Sequence, residues 1–180
     1  MQVLIAKTSK VVDITEASWS NNHRGFRHSE KYGFGLIDAK DMVAQAKTFT
    51  HLPAQKGFSS GRITLNLPVP NDGTPVCISH RFSGSHITFV EHVLFRVTIR
   101  HPRRGQLKIR LQSPEEIVST FAEVHPDPNP NYSGWLFSSV RHFGESAADG
   151  EWRVCVEDGV PRDAFGNGVF DSFELAVFGH

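Results

Sequence analysis

The chain has 180 residues, of which 39% are apolar and 21% are charged, and its 19 Lys and Arg residues balance its 19 Asp and Glu residues. No apolar run approaches the roughly 18 residues that cross a bilayer, so the sequence predicts globular material with no membrane segment. The balanced charge gives no overall field that would attract nucleic acid or an anionic membrane, and both partners are disfavoured.

The first 52 residues carry fragments of a helical pattern. Apolar residues between Leu36 and Phe49 recur at offsets of three and four, which predicts a helix over about residues 39–48 with Asp38 as its N-cap. The apolar stripe of this helix is narrow and needs a partner, supplied either by the rest of the chain or by another domain. If it stays exposed, it would favour self-association. Fewer than about 40 to 60 residues seldom fold alone, so we expect residues 1–52 to be an incomplete unit.

The rest of the chain has a β-strand pattern. Residues 53–61 contain Pro53, Gly57 and Gly61 and predict a linker. From Arg62 to His180 the apolar period is two, which predicts seven or eight half-buried strands. A basic turn over residues 101–105 separates two of them, as in a hairpin. The predicted fold class is therefore mainly β, an antiparallel β-sandwich of jelly-roll-like topology over residues 62–180, with a short helical N-terminal extension. The predicted core residues are Trp135, Phe137, Trp152, Phe173, Leu175 and Val177.

The two cysteines, Cys77 and Cys155, match neither a disulfide framework nor a thiolate metal site, since both need more cysteines or shorter spacings. Strand alternation places Cys155 on the face opposite Trp152 and Val154. Two lone structural thiols are favoured over a bond between them.

An acidic loop is the candidate metal site. Asp158, Asp163 and Asp171, with Asn167 beside them, offer hard oxygen ligands that could gather around calcium. Their spacing is not that of an EF-hand loop. A solvated glycine-rich loop is the favoured interpretation.

One motif suggests a nucleophilic serine. Residues 57–61, Gly57-Phe58-Ser59-Ser60-Gly61, fit the G-x-S-x-G pattern of a nucleophile elbow. That motif works only on a strand-to-helix turn, whereas here a proline-containing linker precedes it and a strand pattern follows. A catalytic role is therefore rejected.

Three further patterns are weak signals. His80, His86 and His92 recur every six residues, which separates neighbours on a strand by about 20 Å and disfavours one zinc site. The basic residues over 101–110 could bind an acidic partner, but a solvated hairpin tip is favoured. Asn131 begins an N-glycosylation sequon, which matters only if a eukaryote secretes the protein.

Several motifs occur in the order and spacing of one family. They are His101-Pro102-Arg103-Arg104-Gly105, Trp135-Leu136-Phe137-Ser138-Ser139-Val140, Gly144-Glu145, Asp149-Gly150-Glu151-Trp152 and, upstream, Trp19-Ser20-Asn21 and Tyr32-Gly33-Phe34-Gly35-Leu36-Ile37-Asp38-Ala39. The β region resembles the P domain of kexin- and furin-like proprotein convertases. Residues 1–52 resemble the C-terminal tail of the subtilisin-like catalytic domain in the same family.

The resemblance implies a function for a parent protein. The parent would be a calcium-dependent serine endoprotease of the secretory pathway or extracellular space that cleaves precursors after basic residues. The Ser, His and Asp of its triad would precede Met1. No catalytic residue and no required cofactor are then expected in this chain, and calcium is expected mainly in the parent catalytic domain.

The P domain would pack against that catalytic domain and support its folding, stability and regulation. The alternative is an independent jelly-roll module that binds carbohydrate or a protein ligand, because the fold alone hosts many functions.

Overall fold

The computed structural model describes residues Met1 to His180, and antiparallel strands dominate it. The N-terminal segment, residues 1–52, contains helices α1 (Gln2–Thr8) and α2 (Ala39–Ala46) and a small sheet of β1 (Ser20–Asn21) and β2 (Arg27–His28). The sandwich, residues 56–180, contains the remaining strands. They are β3 (Lys56–Ser59), β4 (Ile63–Val69), β5 (Val76–Phe82), β6 (Val90–Arg100), β7 (Leu107–Gln112), β8 (Val118–Ala122), β9 (Tyr132–Ser139), β10 (Gly150–Asp158) and β11 (Gly168–Gly179).

The sandwich strands form two sheets. One has the order β5-β10-β7-β8 and the other the order β3-β11-β6-β9. Strand β4 also pairs with β11, alongside residues 168–173, while β3 pairs with residues 176–179. Every strand pairing is antiparallel. The prediction of a mainly β, antiparallel sandwich with a short helical extension is confirmed.

The core lies between the two sheets because the alternating apolar side chains of each strand point inward. The predicted core residues Trp152, Phe173, Leu175 and Val177 are buried, and the half-buried Phe137 packs against them.

The core prediction is wrong for Trp135, which is 43% exposed. Strand β9 is the outermost strand of its sheet, so no further strand covers this side chain.

Two predicted connections differ from the structure. Strands β6 and β7 do not form a hairpin, because β6 pairs with β11 and β9 whereas β7 pairs with β10 and β8. The turn over residues 101–105 therefore crosses from one sheet to the other. The predicted linker also contains strand β3, so the sandwich begins at Lys56 rather than at Arg62.

The prediction of two lone thiols is wrong as well. Cys77 of β5 lies directly opposite Cys155 of β10, and the two form a disulfide across 78 residues of sequence. Both residues are half-buried, while Trp152 and Val154 are buried on the opposite face, as alternation predicts.

The helix predicted over 39–48 is present but ends two residues earlier, at Ala46. The Asp38 side chain caps it by accepting a hydrogen bond of 3.0 Å from the Asp41 N–H. No residue of α2 is buried, whereas α1 buries Val3, Leu4 and Ala6. Neither helix is long and apolar enough to cross a membrane.

Candidate functional site

The N-terminal segment meets the sandwich at a small hydrophobic cluster separate from the main core. Five phenylalanines belong to it, and we call four of them, Phe26, Phe34, Phe89 and Phe143, the aromatic joint; the fifth is Phe49, which follows α2. Phe26 and Phe34 belong to the segment, and Phe89 and Phe143 belong to the sandwich. Val3 and Ala6 of α1 are buried in the same cluster. The segment thus buries its apolar residues against side chains that the sandwich supplies.

Phe143 is the centre of the joint. Its ring lies 5.2 Å from Phe26, 5.3 Å from Phe34 and 5.2 Å from Phe89, measured between ring centroids and with steep interplanar angles. Edge-to-face pairs at this distance stabilise beyond the area they bury, because the positive edge of one ring meets the negative face of the other. Phe143 therefore contacts two rings of the N-terminal segment and one ring of the sandwich.

Gly144 makes this close approach possible. Its φ is +86°, and a Cβ atom at this position would lie 2.3 Å from the Phe26 ring. Its N–H donates to the Val90 carbonyl at 2.8 Å, which ties the loop to β6. Glycine is therefore required both by the backbone conformation and by the space beside Phe26.

Asn22 adds a buried polar link at the joint. Its Nδ2 donates to the Phe143 carbonyl at 2.7 Å, and its Oδ1 accepts from the Phe26 N–H at 2.9 Å. Two arginines reach across the same boundary: Arg24 donates to the Thr88 carbonyl at 3.1 Å, and Arg141 donates to the Ser20 hydroxyl. These bonds fix the register in which the segment docks.

A buried polar network lies behind Phe143. His142 and Glu145 are fully buried, with 2.7 Å between His142 Nδ1 and Glu145 Oε1. His142 Nε2 lies 2.9 Å from the Ser119 hydroxyl, and the His142 ring packs edge-on against Trp152. The order Ser, His, carboxylate is that of a hydrolase triad, but Ser119 is only 3% exposed and its hydroxyl also lies 2.7 Å from the Ser139 hydroxyl. The network instead holds the loop that presents Phe143.

His28 is a partly buried ionisable residue of the segment, close to Arg141 and His142 of the sandwich. Burial, followed by the positive charge of Arg141 and by His142, lowers its pKa to about 4. Its ring packs edge-on against Phe34 at 5.5 Å. Docking therefore favours the neutral imidazole.

The three acidic candidates for calcium point to different partners. Asp158 is fully buried and its Oδ2 lies 3.3 Å from His101 Nε2, whereas Asp171 pairs with Arg100 at 2.7 Å. Asp163 instead accepts hydrogen bonds from two side-chain amides. No group of three or more His, Cys, Asp or Glu side chains is placed to hold a metal ion.

The serine, asparagine and histidine candidates lie on different elements and do not form one site. Ser59 lies on β3, where its hydroxyl donates to Glu174 at 3.0 Å, so the G-x-S-x-G pattern is not on a strand-to-helix turn. Asn131 precedes β9, and its side-chain oxygen accepts from the His101 N–H at 2.9 Å. His92 stacks on Phe178, and His80 packs edge-on against Phe82.

The basic segment is largely neutralised by neighbouring carboxylates. Arg104 pairs with Asp127 at 2.7 Å, and Arg110 pairs with Glu123 at 3.1 Å. Lys108 likewise pairs with Glu157. Lys108 and Arg110 lie on β7, within a sheet, rather than on a hairpin tip.

The N-terminal segment also carries apolar side chains that the sandwich does not cover. Each of the following is more than a third exposed: Met1, Ile14, Leu36, Ile37, Val43 and Leu52. The sequence predicts that the apolar stripe of α2 needs a partner, either the rest of the chain or another domain, but it does not reveal the joint itself. The available signal was Phe143-Gly144, a large aromatic residue followed directly by a glycine.

Comparison with known proteins places this architecture in a family. Residues 90–177 match the family model of the proprotein convertase P-domain. Over 99% of its length the chain is 32% identical to proprotein convertase subtilisin/kexin type 7 of Homo sapiens and 31% identical to proprotein convertase subtilisin/kexin type 6 of Rattus norvegicus. It covers 23% and 20% of these two proteins, so it spans about a fifth to a quarter of their length.

A solved structure shows the same fold. The serine protease of Aeromonas sobria, in a complex with its chaperone, matches 99% of this chain with a TM-score of 0.86 and 22% sequence identity, and the match covers 39% of that protease chain. The similarity extends over the N-terminal segment as well as the sandwich. The chain therefore belongs to the proprotein convertase family, and residues 90–177 lie in its P domain.

Proposed function

We propose that the sandwich supports the folding and stability of a subtilisin-type catalytic domain whose C-terminal end is the N-terminal segment. The single observation that carries this proposal is the aromatic joint. The segment buries its apolar residues around Phe143, a side chain of the sandwich. Because the segment has no larger apolar cluster of its own, this contact with the sandwich supports its folded state.

The part of the segment that the sandwich does not cover supports the same proposal. Its exposed apolar side chains, Ile14, Leu36, Ile37 and Val43 among them, would lie against the rest of a catalytic domain. Burial of apolar surface contributes roughly 25 cal/mol per Å² before ordering costs are subtracted. The sandwich would then act through the segment on the catalytic domain.

The whole parent protein is proposed to be a kexin-like, calcium-dependent serine endoprotease of the secretory pathway or extracellular space. The support is its membership of the convertase family, in which the relatives that it matches carry the name subtilisin/kexin. Cleavage of precursors after basic residues, and regulation of this cleavage by the P domain, belong to the same proposal.

The chain itself is proposed to lack peptidase activity. Purified chain is mixed with fluorogenic peptides that carry paired basic residues, beside a full-length convertase as positive control. We expect no turnover above buffer. Turnover that is abolished by a serine-protease inhibitor would overturn the proposal.

The supporting role is tested in the parent protein. Phe143→Ala should lower the yield of folded, active protease, whereas Trp135→Ala, on the exposed edge of the sandwich, should leave it near the wild-type level. Equal yields from the two variants would contradict a role of the joint in folding.

A further inference from the structure

A cluster of oxygen-bearing side chains lies away from the joint, where three separate connections of the sandwich meet. Asn71 follows β4, Gln106 ends the short 3₁₀ helix before β7, and Asp163 lies between β10 and β11. Asn71 Nδ2 donates to Asp163 Oδ1 at 3.2 Å and to its backbone carbonyl at 3.0 Å. Gln106 Nε2 donates to Asp163 Oδ2 at 2.5 Å.

The same two amides each leave an oxygen without a partner. Asn71 Oδ1 and Gln106 Oε1 are both buried and accept no hydrogen bond. Buried side-chain oxygens are nearly always satisfied, so two orphans in one cluster need an explanation.

Exchanging the oxygen and nitrogen positions of the two side-chain amides does not give every oxygen a partner within the protein. The oxygen and nitrogen of an amide are almost interchangeable in shape, and a half-turn about the last bond exchanges them. After the half-turn both carbonyl oxygens would face the Asp163 carboxylate, and these groups repel one another. Neither orientation satisfies all the oxygens of the cluster within the protein, and in the second orientation a cation would bridge the two amide oxygens and the carboxylate.

The charge of the cluster also favours a cation. None of the ion pairs of the chain includes Asp163, whereas Asp158 and Asp171 have His101 and Arg100 as partners. A carboxylate is ionised at neutral pH, so Asp163 brings a negative charge to the cluster without a salt-bridge partner.

We propose that Asp163, Asn71 and Gln106 form a calcium site that ties the loop between β10 and β11 to the β4–β5 turn and the start of β7. Calcium accepts six to eight hard oxygens, including uncharged amide and backbone carbonyls and water, whereas magnesium gives up its waters reluctantly. Two further oxygens adjoin the cluster. The Asp163 carbonyl accepts from the Asn71 side chain, and the Asn167 side-chain oxygen accepts from the Asn71 N–H at 2.9 Å. With one carboxylate we expect weak binding, with a Kd of about 10⁻⁴–10⁻³ M.

The test is thermal unfolding of the full chain, once in a chelator and once in calcium at about ten times the upper end of the expected Kd range. The wild type should unfold at a higher temperature in calcium, with a smaller shift in magnesium. Asp163→Asn should abolish the calcium shift. Asp171→Asn, in the neighbouring part of the chain but paired with Arg100, is the matched control and should keep it.

A second variant separates binding from a purely structural role. Gln106→Glu adds a carboxylate beside Asp163, so it should lower the unfolding temperature in chelator and enlarge the calcium shift relative to wild type. The proposal is overturned if wild type shows no calcium shift, if Asp163→Asn keeps the shift, or if Gln106→Glu fails to enlarge it. Absence of any shift would mean that water donors satisfy the two orphan oxygens.

Discussion

The sandwich and the N-terminal segment differ in how they are stabilised. The sandwich buries a core of 21 residues between two sheets of its own, and a disulfide crosses one of these sheets. The segment buries a cluster of four residues, one of which is Phe143 of the sandwich. The difference leads us to expect that the sandwich, with its own core, can fold without the segment, whereas the segment docks only on a folded sandwich.

The largest effect is expected when a side chain at the centre of the main core is removed, because the segment depends on the folded sandwich. Trp152→Ala deletes a fully buried side chain that packs on His142, and should cost about 3–5 kcal/mol of unfolding free energy. Because the segment depends on the sandwich, both parts should lose structure in one transition, followed by circular dichroism in urea. Trp135→Ala on the edge strand is the control and should cost clearly less than Trp152→Ala, because the Trp135 side chain is already 43% exposed. Comparable losses from the two variants would show that the assigned core is wrong.

The disulfide tests the sandwich alone. Replacing Cys77 and Cys155 together by serine opens a loop of 78 residues without leaving a free thiol, and should cost about 2–4 kcal/mol. The pair lies on β5 and β10, neither of which supplies a residue of the joint, so protease resistance of the segment should be retained under conditions where the sandwich stays folded. The measurement is urea unfolding of the oxidised wild type beside the double variant. Faster cleavage of the segment in the double variant than in the wild type, while both sandwiches stay folded, would show that the disulfide also supports docking.

Gly144→Ala tests the joint from the sandwich side. The new Cβ would clash with the Phe26 ring, so we expect a loss of about 1–3 kcal/mol confined to docking of the segment. Limited proteolysis should show faster cleavage within residues 9–35 while the sandwich resists. Gly134→Ala is the matched control, because Gly134 also has a positive φ but open space around its Cβ. If the two variants are cleaved at the same rate, backbone strain rather than the clash explains the effect.

His28 gives the smallest expected effect, as a pH dependence of docking. Its pKa is lowered from 6.5 to about 4 in the docked state, so the undocked state binds the proton more tightly. Stability is therefore full above pH 6.5 and is lost as the pH falls towards about 4. The ring is only partly buried, so the loss is on the order of 1 kcal/mol. His28→Gln should flatten the pH profile of protease resistance between these values, and an unchanged profile would assign the effect to other groups.

Much of the fold is predictable because strand alternation is a local property. The inward positions of β6, β10 and β11 can be read from their own residues, as Trp152 and Leu175 show. Alternation does not say which strands become neighbours. The corner at 101–105 was therefore interpreted as a hairpin, and Trp135 was assigned to the core although β9 is an edge strand.

The features that the sequence analysis missed all depend on contacts between distant residues. The Cys77–Cys155 bond requires the register of β5 against β10. The aromatic joint brings Phe143 to Phe26, and the oxygen cluster brings Asn71 to Asp163. None of these pairs has a local signal beyond the glycine after Phe143.

The most direct test of the central claim is hydrogen exchange of the full chain with and without Phe143→Ala. The joint is predicted to hold the segment, so amides of residues 2–28 should lose protection in the variant while those of β6 and β11 keep theirs. Trp135→Ala serves as the reference and should exchange like wild type. Retained protection over residues 2–28, or an equal loss in β6 and β11, would contradict the claim that the sandwich stabilises the segment through Phe143.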